Sequence, residues 1–235
     1  MQNNQLHILS TARLQASIKT IAAGNHIMLD DISFIETKPL HDDLIFLHTD
    51  KYGKHSTIIF TSVQAVEALT NAVDHTGTRW KIACTEGATL HIVQNKFPNA
   101  YIFAHAPDAK QLAEKIIALN TEKHAVFFCG NRRRDTLPEM LRQNNIEVDE
   151  VILYETNLTP VAVDNDYDAV LFFSPSQAES FFSINKVRDE TVLFAIGNTT
   201  ADEIRKFSGN KVIVGDEPSK EGLVKKAVEV LGVNR

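Results

Sequence analysis

The chain has 235 residues, enough for two lobes of ordinary size, and its 43% hydrophobic and 23% charged residues are typical of a globular protein. Its 24 basic and 30 acidic residues give a formal charge of -6, which argues against a general nucleic-acid binder because such proteins carry a basic excess. Apolar runs fall short of the roughly 18–20 residues that span a bilayer, and the first ten residues lack a secretory-signal pattern. We therefore expect a cytoplasmic protein with neither nucleic acid nor membrane as a partner.

The first part of the chain alternates between apolar runs typical of buried strands and segments with helical spacing. The predicted strands are 6–10, 26–37, 56–61, 81–85, 100–104, 125–129 and 147–154. A first helix is predicted around Leu14, Ile18 and Ile21, with a stop at Gly24-Asn25. Four further helices are predicted in this part of the chain. They begin at residue 62, after a turn within residues 85–93, at residue 108 and at residue 137. Residues Leu112, Ile116 and Leu119 are predicted to form the apolar stripe of helix 108–119.

The same alternation resumes in the last third of the chain. Strands are predicted at 169–173, 192–196 and 211–214, and helices at 177–182, 199–207 and 221–231. Strands that are apolar throughout and alternate with helices indicate parallel sheets covered on both faces. We therefore predict an α/β protein built from doubly wound parallel sheets of about five strands each.

Two similar connectors suggest how the lobes are joined. Residues 34–40 read F-I-E-T-K-P-L and residues 151–160 read V-I-L-Y-E-T-N-L-T-P, each an apolar lead into Glu-Thr and then proline. Proline ends such extended segments because it fixes its own φ and restrains the residue before it. We predict a discontinuous first lobe of 1–36 and 158–235, a second lobe of 37–157, and a two-stranded linker near 34–40 and 151–160, with Tyr154 on the return crossing beside a cleft.

An internal repeat supports this division. I-I-F-T-S-V-Q-A-V-E-A-L from Ile58 resembles V-L-F-F-S-P-S-Q-A-E-S-F from Val170, which places Ser62 opposite Ser174. K-I-A-C-T-E-G-A-T from Lys81 similarly matches V-L-F-A-I-G-N-T-T from Val192 and places Thr89 near Thr200. Chance similarity between apolar strands is the alternative. The matched hydroxyl residues at the strand ends favour a duplicated domain.

Small polar residues follow four of the predicted strands, where open α/β sheets bind their ligands. The candidates for binding are Thr61, Ser62, Gly130, Asn131, Ser174, Pro175, Ser176, Gly197, Thr199 and Thr200. Taken singly, Ser, Thr and Asn at such points are first of all helix N-caps. Several helix N-termini together also suit carboxylate or phosphate groups, so an acidic protein could hold an anion there.

The basic cluster Arg132-Arg133-Arg134 directly follows Gly130-Asn131 and is either a solvated helix start or a contact for an anion. Tyr154 is the best single candidate for a proton donor, with a surface tyrosine of a strand as the alternative. Cys84 and Cys129 lie in apolar runs, so buried free thiols are expected, with a disulfide or redox pair as the other reading. The spacing of His41, His48 and His55 is interpreted as coincidence, and we expect no metal site.

These segments resemble the uroporphyrinogen-III synthase family. F-F-C-G-N-R-R-R-D-T-L-P-E-M-L followed by V-I-L-Y-E-T is similar to the family's Cys-Gly-Asn, Leu-Pro and Tyr-x-Thr run, and I-I-F-T-S-V-Q-A-V is similar to its first serine segment. V-L-F-F-S-P-S-Q-A and A-I-G-N-T-T-A-D-E-I resemble its second serine segment and its Gly-x-x-Thr-Ala segment. The matches run from Ile58 to Ile204 in the family's order.

The resemblance implies two flavodoxin-like lobes and a cofactor-independent lyase that cyclises hydroxymethylbilane in haem biosynthesis. It implies that Tyr154 assists loss of the terminal hydroxyl and that Ser62, Ser174 and Thr200 face the cleft. We expect a monomer that binds its polycarboxylate substrate also through Thr89 and Arg132. A non-catalytic module that binds an anionic tetrapyrrole is the alternative.

One segment departs from the family pattern. Cys84-Thr85-Glu86-Gly87-Ala88-Thr89 lacks the usual Gly-x-x-Thr register and has one residue more than the second repeat. Either Thr85 or Thr89 could therefore be the residue that faces the cleft. Glu86 could also repel an anionic substrate.

Overall fold

A computed structural model of the chain describes residues 5–40, 56–72, 79–164 and 166–232, so that His41, His48 and His55 lie outside the described residues. The chain divides into two compact units. Unit 1 contains residues 1–36 and 157–235, and unit 2 contains residues 37–156.

Helices and strands alternate along both units. In chain order the strands are β1 His7–Ser10, β2 Met28–Asp31, β3 Ile35–Pro39, β4 Thr57–Phe60, β5 Lys81–Thr85, β6 Tyr101–Ala106, β7 His124–Gly130, β8 Glu147–Leu158, β9 Ala169–Phe172, β10 Val192–Ala195 and β11 Val212–Val214. The helices are α1 Ala16–Ala23, α2 Val63–Ala72, α3 Ala88–Lys96, α4 Ala109–Leu119, α5 Thr136–Gln143, α6 Pro175–Phe182, α7 Asn198–Arg205 and α8 Lys220–Gly232.

Two local predictions are wrong. The predicted strand 26–37 is interrupted at residues 32–34, because β2 pairs within the sheet of unit 1 while β3 joins the other sheet. The predicted stripe of helix α4 includes Leu119, which is 44% exposed. The buried face is instead made by Leu112, Ala113 and Ile116. Leu119 is the last residue of helix α4, and Asn120 caps it in the left-handed conformation.

The two sheets confirm the predicted α/β class with parallel strands. The strand order is β11-β10-β9-β1-β2 in unit 1 and β3-β8-β7-β4-β5-β6 in the other sheet. Every strand pair with a described register is parallel. Counted along its own chain, unit 1 has the flavodoxin-like order 2-1-3-4-5. The five parallel strands of unit 2 have the order 3-2-1-4-5 instead.

The difference between the two orders is a circular permutation. Strands β4, β5 and β6 occupy the places that β9, β10 and β11 have in unit 1, and β7 and β8 correspond to β1 and β2. The strand pair that comes first in unit 1, β1 and β2, is equivalent to the pair that comes last in unit 2, β7 and β8. The repeat seen in the sequence therefore joins equivalent strands, because Ser62 follows β4 and Ser174 follows β9.

Each sheet is covered on both faces by apolar side chains. In unit 2, Ile58 and Phe60 of β4 pack in the layer that contains α2 and α3, whereas Ile59 packs in the layer that contains α4 and α5. In unit 1, the layers contain α1 and α8 on one face and α6 and α7 on the other. Burial on both faces explains why these strands are apolar throughout.

The chain passes between the units in β3 and β8, which are neighbours in the six-stranded sheet. The amide of Leu40 donates to the carbonyl of Leu153 at 2.9 Å, and the amide of Thr159 donates to the carbonyl of Phe34 at 3.0 Å. As the residue number rises on one strand it falls on the other, so the two strands run antiparallel.

Candidate functional site

The strand ends that could bind a ligand in unit 2 lie at β4 and β7. These neighbours lead through α2 to β5 on one side and through α5 to β8 on the other, so the chain changes direction between them. Ligands of open α/β sheets bind at such a point, beyond the carboxyl ends of the strands. Phe60 pairs with Phe128, which brings Ser62 and Gly130 to the same level of the sheet.

Tyr154 and Ser62 are joined at this point by a hydrogen bond. The Tyr154 Oη and the Ser62 Oγ are 3.0 Å apart, and either oxygen could donate. Ser62 also caps helix α2, because its Oγ accepts from the amide of Ala65 at 3.2 Å. The capping interpretation and the site interpretation of Ser62 are therefore compatible. The same side chain caps the first turn of α2 and contacts the phenol.

The phenol of Tyr154 lies in an apolar environment. The side chain is half-buried against the core layer that contains Phe60, Phe128 and Leu153. Burial raises the pKa of Tyr154 above its ordinary value of 10.0, and the hydrogen bond with Ser62 partly opposes this rise. Tyr154 therefore keeps its proton at neutral pH, and a phenolate formed there would regain a proton readily.

Gly130 and Asn131 lie beside Tyr154, since Gly130 pairs with Tyr154 across β7 and β8. Of the basic cluster that follows, Arg133 is engaged within unit 2. Arg133 forms ion pairs with Glu150 and, at 2.9 Å, with Asp135. Arg132 is exposed in the turn after β7 and stays a predicted substrate contact.

The segment after β5 is arranged differently from its predicted equivalent. Thr85 ends β5 and is half-buried, whereas Thr89 in helix α3 is only 6% exposed. Gly87 precedes α3 with a φ of 71°, a conformation that favours glycine. The Glu86 carboxylate contacts Nδ1 of His105 at 2.8 Å, so this side chain already has a partner within unit 2. Exposure thus favours Thr85 over Thr89 as a contact for a ligand.

In unit 1 the chain changes direction between β1 and β9. Ser174 follows β9 and caps helix α6, its Oγ accepting from the amide of Gln177 at 3.2 Å, as Ser62 does three residues before Ala65. Pro175 occupies the first helical position, where its lack of an N–H costs nothing, and Ser176 is half-buried.

After β10, Gly197 precedes helix α7 in an extended conformation. Thr199 is exposed, whereas Thr200 is 3% exposed. The burial of Thr200, like that of Thr89, gives no support to a direct contact between its side chain and a ligand. Both residues stay predictions of the sequence.

Two polar residues beside Ser174 were missed by the sequence analysis. The hydroxyl of Thr11 lies 2.8 Å from the carbonyl of Leu171 and 3.1 Å from Oε1 of Gln177, and the amide of Phe173 donates to the same oxygen at 2.9 Å. Gln177 thereby joins the end of β1 to the start of α6. Knowledge that β1 and β9 are neighbours in the sheet would have identified this pair, and the sequence alone does not give the strand order.

A second missed feature is a carboxylate at the same level of each sheet. Asp31 ends β2 and accepts from the amide of Leu14 at 2.8 Å and from Lys19 at 2.7 Å. Its counterpart, Glu150 on β8, accepts from Arg133 and, at 2.8 Å, from Arg142. Burial acts to raise the pKa of both carboxyls, but the hydrogen bonds and nearby cations outweigh it and leave both below their ordinary values.

The two cysteines are not activated as nucleophiles. Cys84 and Cys129 are buried free thiols, as predicted, and burial raises the pKa of each to about 12. Within the described residues, no group of three or more His, Cys, Asp and Glu side chains could hold a metal ion. In the same part of the chain, every helix is too short or too polar to cross a membrane.

The profile of the family described as "Uroporphyrinogen-III synthase HemD" matches residues 29–225. This match covers most of both units and includes β4, β5, β7, β8, β9 and β10, the strands that contain or precede the candidate residues. The chain belongs to the uroporphyrinogen-III synthase family. The predicted resemblance to this family is confirmed.

A curated relative agrees with this family. The "Porphyrin biosynthesis protein HemD" of Ruminiclostridium josui is 27% identical over 138 residues, which are 54% of this chain and 27% of the relative. The chain thus matches about a quarter of the length of that curated relative.

Among solved structures, a mutant uroporphyrinogen III synthase from the extremely thermophilic bacterium Thermus thermophilus aligns with a TM-score of 0.68 at 15% identity, covering 98% of this chain and 100% of that one. The uroporphyrinogen-III synthetase from Helicobacter pylori aligns with a TM-score of 0.64 at 16% identity, covering 96% and 99%. At these identities the likeness concerns the fold.

Proposed function

We propose that this chain is a uroporphyrinogen-III synthase, a lyase that cyclises hydroxymethylbilane with loss of water and inversion of the last pyrrole ring. The observation that supports this activity best is the pair formed by Tyr154 and Ser62 where the sheet of unit 2 changes direction. Family membership supplies the substrate class. The geometry supplies a protonated phenol with a hydroxyl partner in an apolar environment.

The proton of Tyr154 is assigned to the leaving hydroxyl group. Transfer of this proton as the carbon–oxygen bond breaks releases water and leaves an azafulvene-like cation on the bilane. The substituted carbon of the last pyrrole attacks the cation and forms a spiro intermediate. Fragmentation and reclosure through the other carbon then invert the ring, and the proton lost from that carbon can return to the Tyr154 phenolate.

The hydrogen bond of Ser62 serves the first half of this proton cycle, in which Tyr154 gives up its proton. A hydroxyl beside the phenol stabilises the phenolate while the substrate carries positive charge, since an oxyanion is hydrogen-bonded more strongly than a phenol. Burial works in the opposite direction and returns the proton at the end. The reaction is redox-neutral and loses one water, so it balances without a cofactor.

Preventing the spontaneous, uninverted closure requires that a flexible chain of pyrroles be held in one shape. Helix N-termini after β4, β9 and β10 offer amide groups and the positive ends of helix dipoles to the acetate and propionate groups. The proposed side-chain contacts are the accessible residues Thr61, Ser62, Arg132, Ser174, Pro175, Ser176 and Thr199. Gly130, Asn131, Gly197, Thr89 and Thr200 complete the set predicted from the sequence, although Thr89 and Thr200 are buried.

A coupled assay tests the activity and the role of Tyr154 together. Hydroxymethylbilane is generated in place by its synthase, and type III and type I uroporphyrinogen are separated after oxidation. We expect type III product from the wild type and a loss of kcat of roughly a hundredfold in Tyr154→Phe, which keeps the ring but not the proton. Tyr101→Phe is the matched control, because Tyr101 is 67% exposed at the start of β6.

The assay also separates the rival functions. Type I product alone, even at high protein concentration, would favour the non-catalytic module that binds an anionic tetrapyrrole. Unchanged turnover in Tyr154→Phe would remove this residue from the mechanism while leaving the activity in place.

We further propose a cytoplasmic monomer that works without nucleic-acid or membrane partners. The acidic balance of charge and the two unpaired cysteines support this placement. Light scattering coupled to size exclusion should give one species near 26.2 kDa.

A further inference from the structure

Strand β8 is irregular at Leu153, one residue before Tyr154. Cys129 of β7 pairs with Ile152, whereas the next residue, Gly130, pairs with Tyr154, so Leu153 is an extra residue in β8. Neighbouring side chains of a regular strand point to opposite faces, yet Leu153 and Tyr154 pack in the same apolar layer. The bulge therefore turns the phenol toward helix α2, as bulges re-aim side chains next to active sites.

Asn131 holds β8 on both sides of Glu155. Its main-chain amide donates to the carbonyl of Tyr154 at 3.1 Å, and its side-chain Oδ1 accepts from the amide of Thr156 at 2.8 Å. Both contacts lie just beyond the bulge, where the regular ladder between β7 and β8 has ended. Asn131 thereby continues the pairing of β8 past the last residue of β7.

Because Gly130 has no side chain, the phenol ring of Tyr154 can occupy the space beside its main chain. A Cβ atom at residue 130 would lie 2.5 Å from Cε2 and Cζ of Tyr154 and 2.9 Å from its Oη. These distances are far shorter than a carbon–carbon contact, so any side chain at this position would displace the ring. Within the described structure, the ring of Tyr154 therefore lies directly over the main chain of Gly130.

We propose that Asn131 is a positioning residue, which holds the bulged segment of β8 so that the Tyr154 hydroxyl meets Ser62, with Gly130 supplying the space for the ring. The catalytic consequence rests on the proposed synthase activity, whereas the position of the phenol does not. This assignment differs from the prediction that Asn131 and Gly130 contact substrate directly. The carbonyl oxygen of the Asn131 side chain is already bonded to the backbone of β8.

A substrate-free measurement tests the position of the phenol. In protein labelled with 3-fluorotyrosine, the resonance of Tyr154 is the one of four that disappears in Tyr154→Phe. We expect Asn131→Ala and Gly130→Ala to shift or broaden this resonance, and Asn131→Asp, which keeps an acceptor oxygen, to restore it. Asn144→Ala is the matched control, because Asn144 bonds the carbonyl of Met140 at the end of α5.

A kinetic cycle tests whether Asn131 acts through Tyr154. We expect Asn131→Ala to lower kcat roughly tenfold with little change in KM, because a small misplacement of a catalytic group is costly. The same change should have no further effect in the Tyr154→Phe background, and Asn131→Asp should recover most of kcat.

Two results would overturn the proposal. One is an unchanged Tyr154 resonance in Asn131→Ala, and the other is an equal loss of kcat in both backgrounds, as general destabilisation would cause. Absence of type III product from the wild type would instead contradict the proposed function, and the resonance would still decide whether Asn131 holds the phenol.

Discussion

At the scale of single residues, Tyr154 combines a buried ring with one polar contact. Burial removes water from the phenol and disfavours the charged phenolate, while Ser62 offers a hydrogen bond that favours it. Burial is the larger effect, so the pKa lies above its ordinary value. For the proposed reaction, a neutral donor is suitable because it would give its proton only when the leaving group accepts one.

A spectrophotometric titration measures this balance directly. The difference between the titrations of wild type and Tyr154→Phe should give a pKa for Tyr154 above 10.0, and Ser62→Ala should raise it further because the opposing hydrogen bond is lost. Ser183→Ala is the control, since Ser183 bonds Ser180 in unit 1. Ionisation of Tyr154 below its ordinary pKa would contradict the assigned burial.

At the scale of elements, a carboxylate that is largely shielded from solvent joins strand, loop and helix in each unit. Asp31 on β2 contacts Arg13 in the loop after β1 and Lys19 in α1, whereas Glu150 on β8 contacts Arg133 in the loop after β7 and Arg142 in α5. The permutation makes these elements equivalent. The loop held by Glu150 begins at Asn131, so the ion pairs also fix the segment that contacts Tyr154.

The lowered pKa of Glu150 predicts how stability depends on pH. A carboxyl whose folded pKa is depressed stabilises the fold above its unfolded pKa, and this contribution is lost as pH falls through the folded value. We expect Glu150→Gln to lower the free energy of unfolding by about 1–3 kcal/mol at pH 7, and the difference from wild type to shrink below about pH 4.5.

Urea unfolding at several pH values checks this prediction. The exposed Glu147 lies on the same strand, so Glu147→Gln should leave stability nearly unchanged. A deficit of Glu150→Gln that stayed constant from pH 7 to pH 3 would show that packing, and not the charge of Glu150, stabilises this position.

At the scale of the whole molecule, each unit has its own sheet and its own apolar layers. Unit 2 is continuous from Thr37 to Thr156, whereas unit 1 is assembled from both ends of the chain. Glu36 and Asn157 lie opposite each other in the antiparallel register of β3 and β8, as the hydrogen bond between Thr159 and Phe34 indicates. A short turn could therefore join them.

We expect each unit to fold alone, because each buries its own core. Residues 37–156 should unfold cooperatively on heating, and so should residues 1–36 joined to 157–235 by an Asn-Gly turn, which suits a hairpin. Residues 157–235 without 1–36 are the control and should not fold, since they lack β1 and β2 of the sheet. A non-cooperative transition in either complete unit would contradict independent folding.

Most of the helices, strands and connectors could be predicted, because hydrophobic periodicity and the residues that end helices and strands are local properties of the sequence. The alternating apolar strands and helices, the two Pro-terminated connectors and the repeated serines are readable in short windows of sequence. Ser62 and Ser174 cap helices three residues before Ala65 and Gln177, as their residue type and place predict. Tyr154 could be singled out for the same reason, from its place in a connector.

The tertiary structure decided what depends on distant segments. The bulge at Leu153 depends on contacts with residues more than twenty positions away, because Gly130 pairs with Tyr154 and Asn131 bonds the backbone of β8 beyond it. The bulge places the Tyr154 side chain on the face of the strand where regular alternation would place its neighbours. The ion pairs of Asp31 with Lys19 and of Glu150 with Arg142 depend on the packing of strand, loop and helix, so they could not be predicted from the sequence. Sequence by itself determined the elements and the candidate tyrosine; strand pairing determined which way its hydroxyl points, because side-chain direction depends on register.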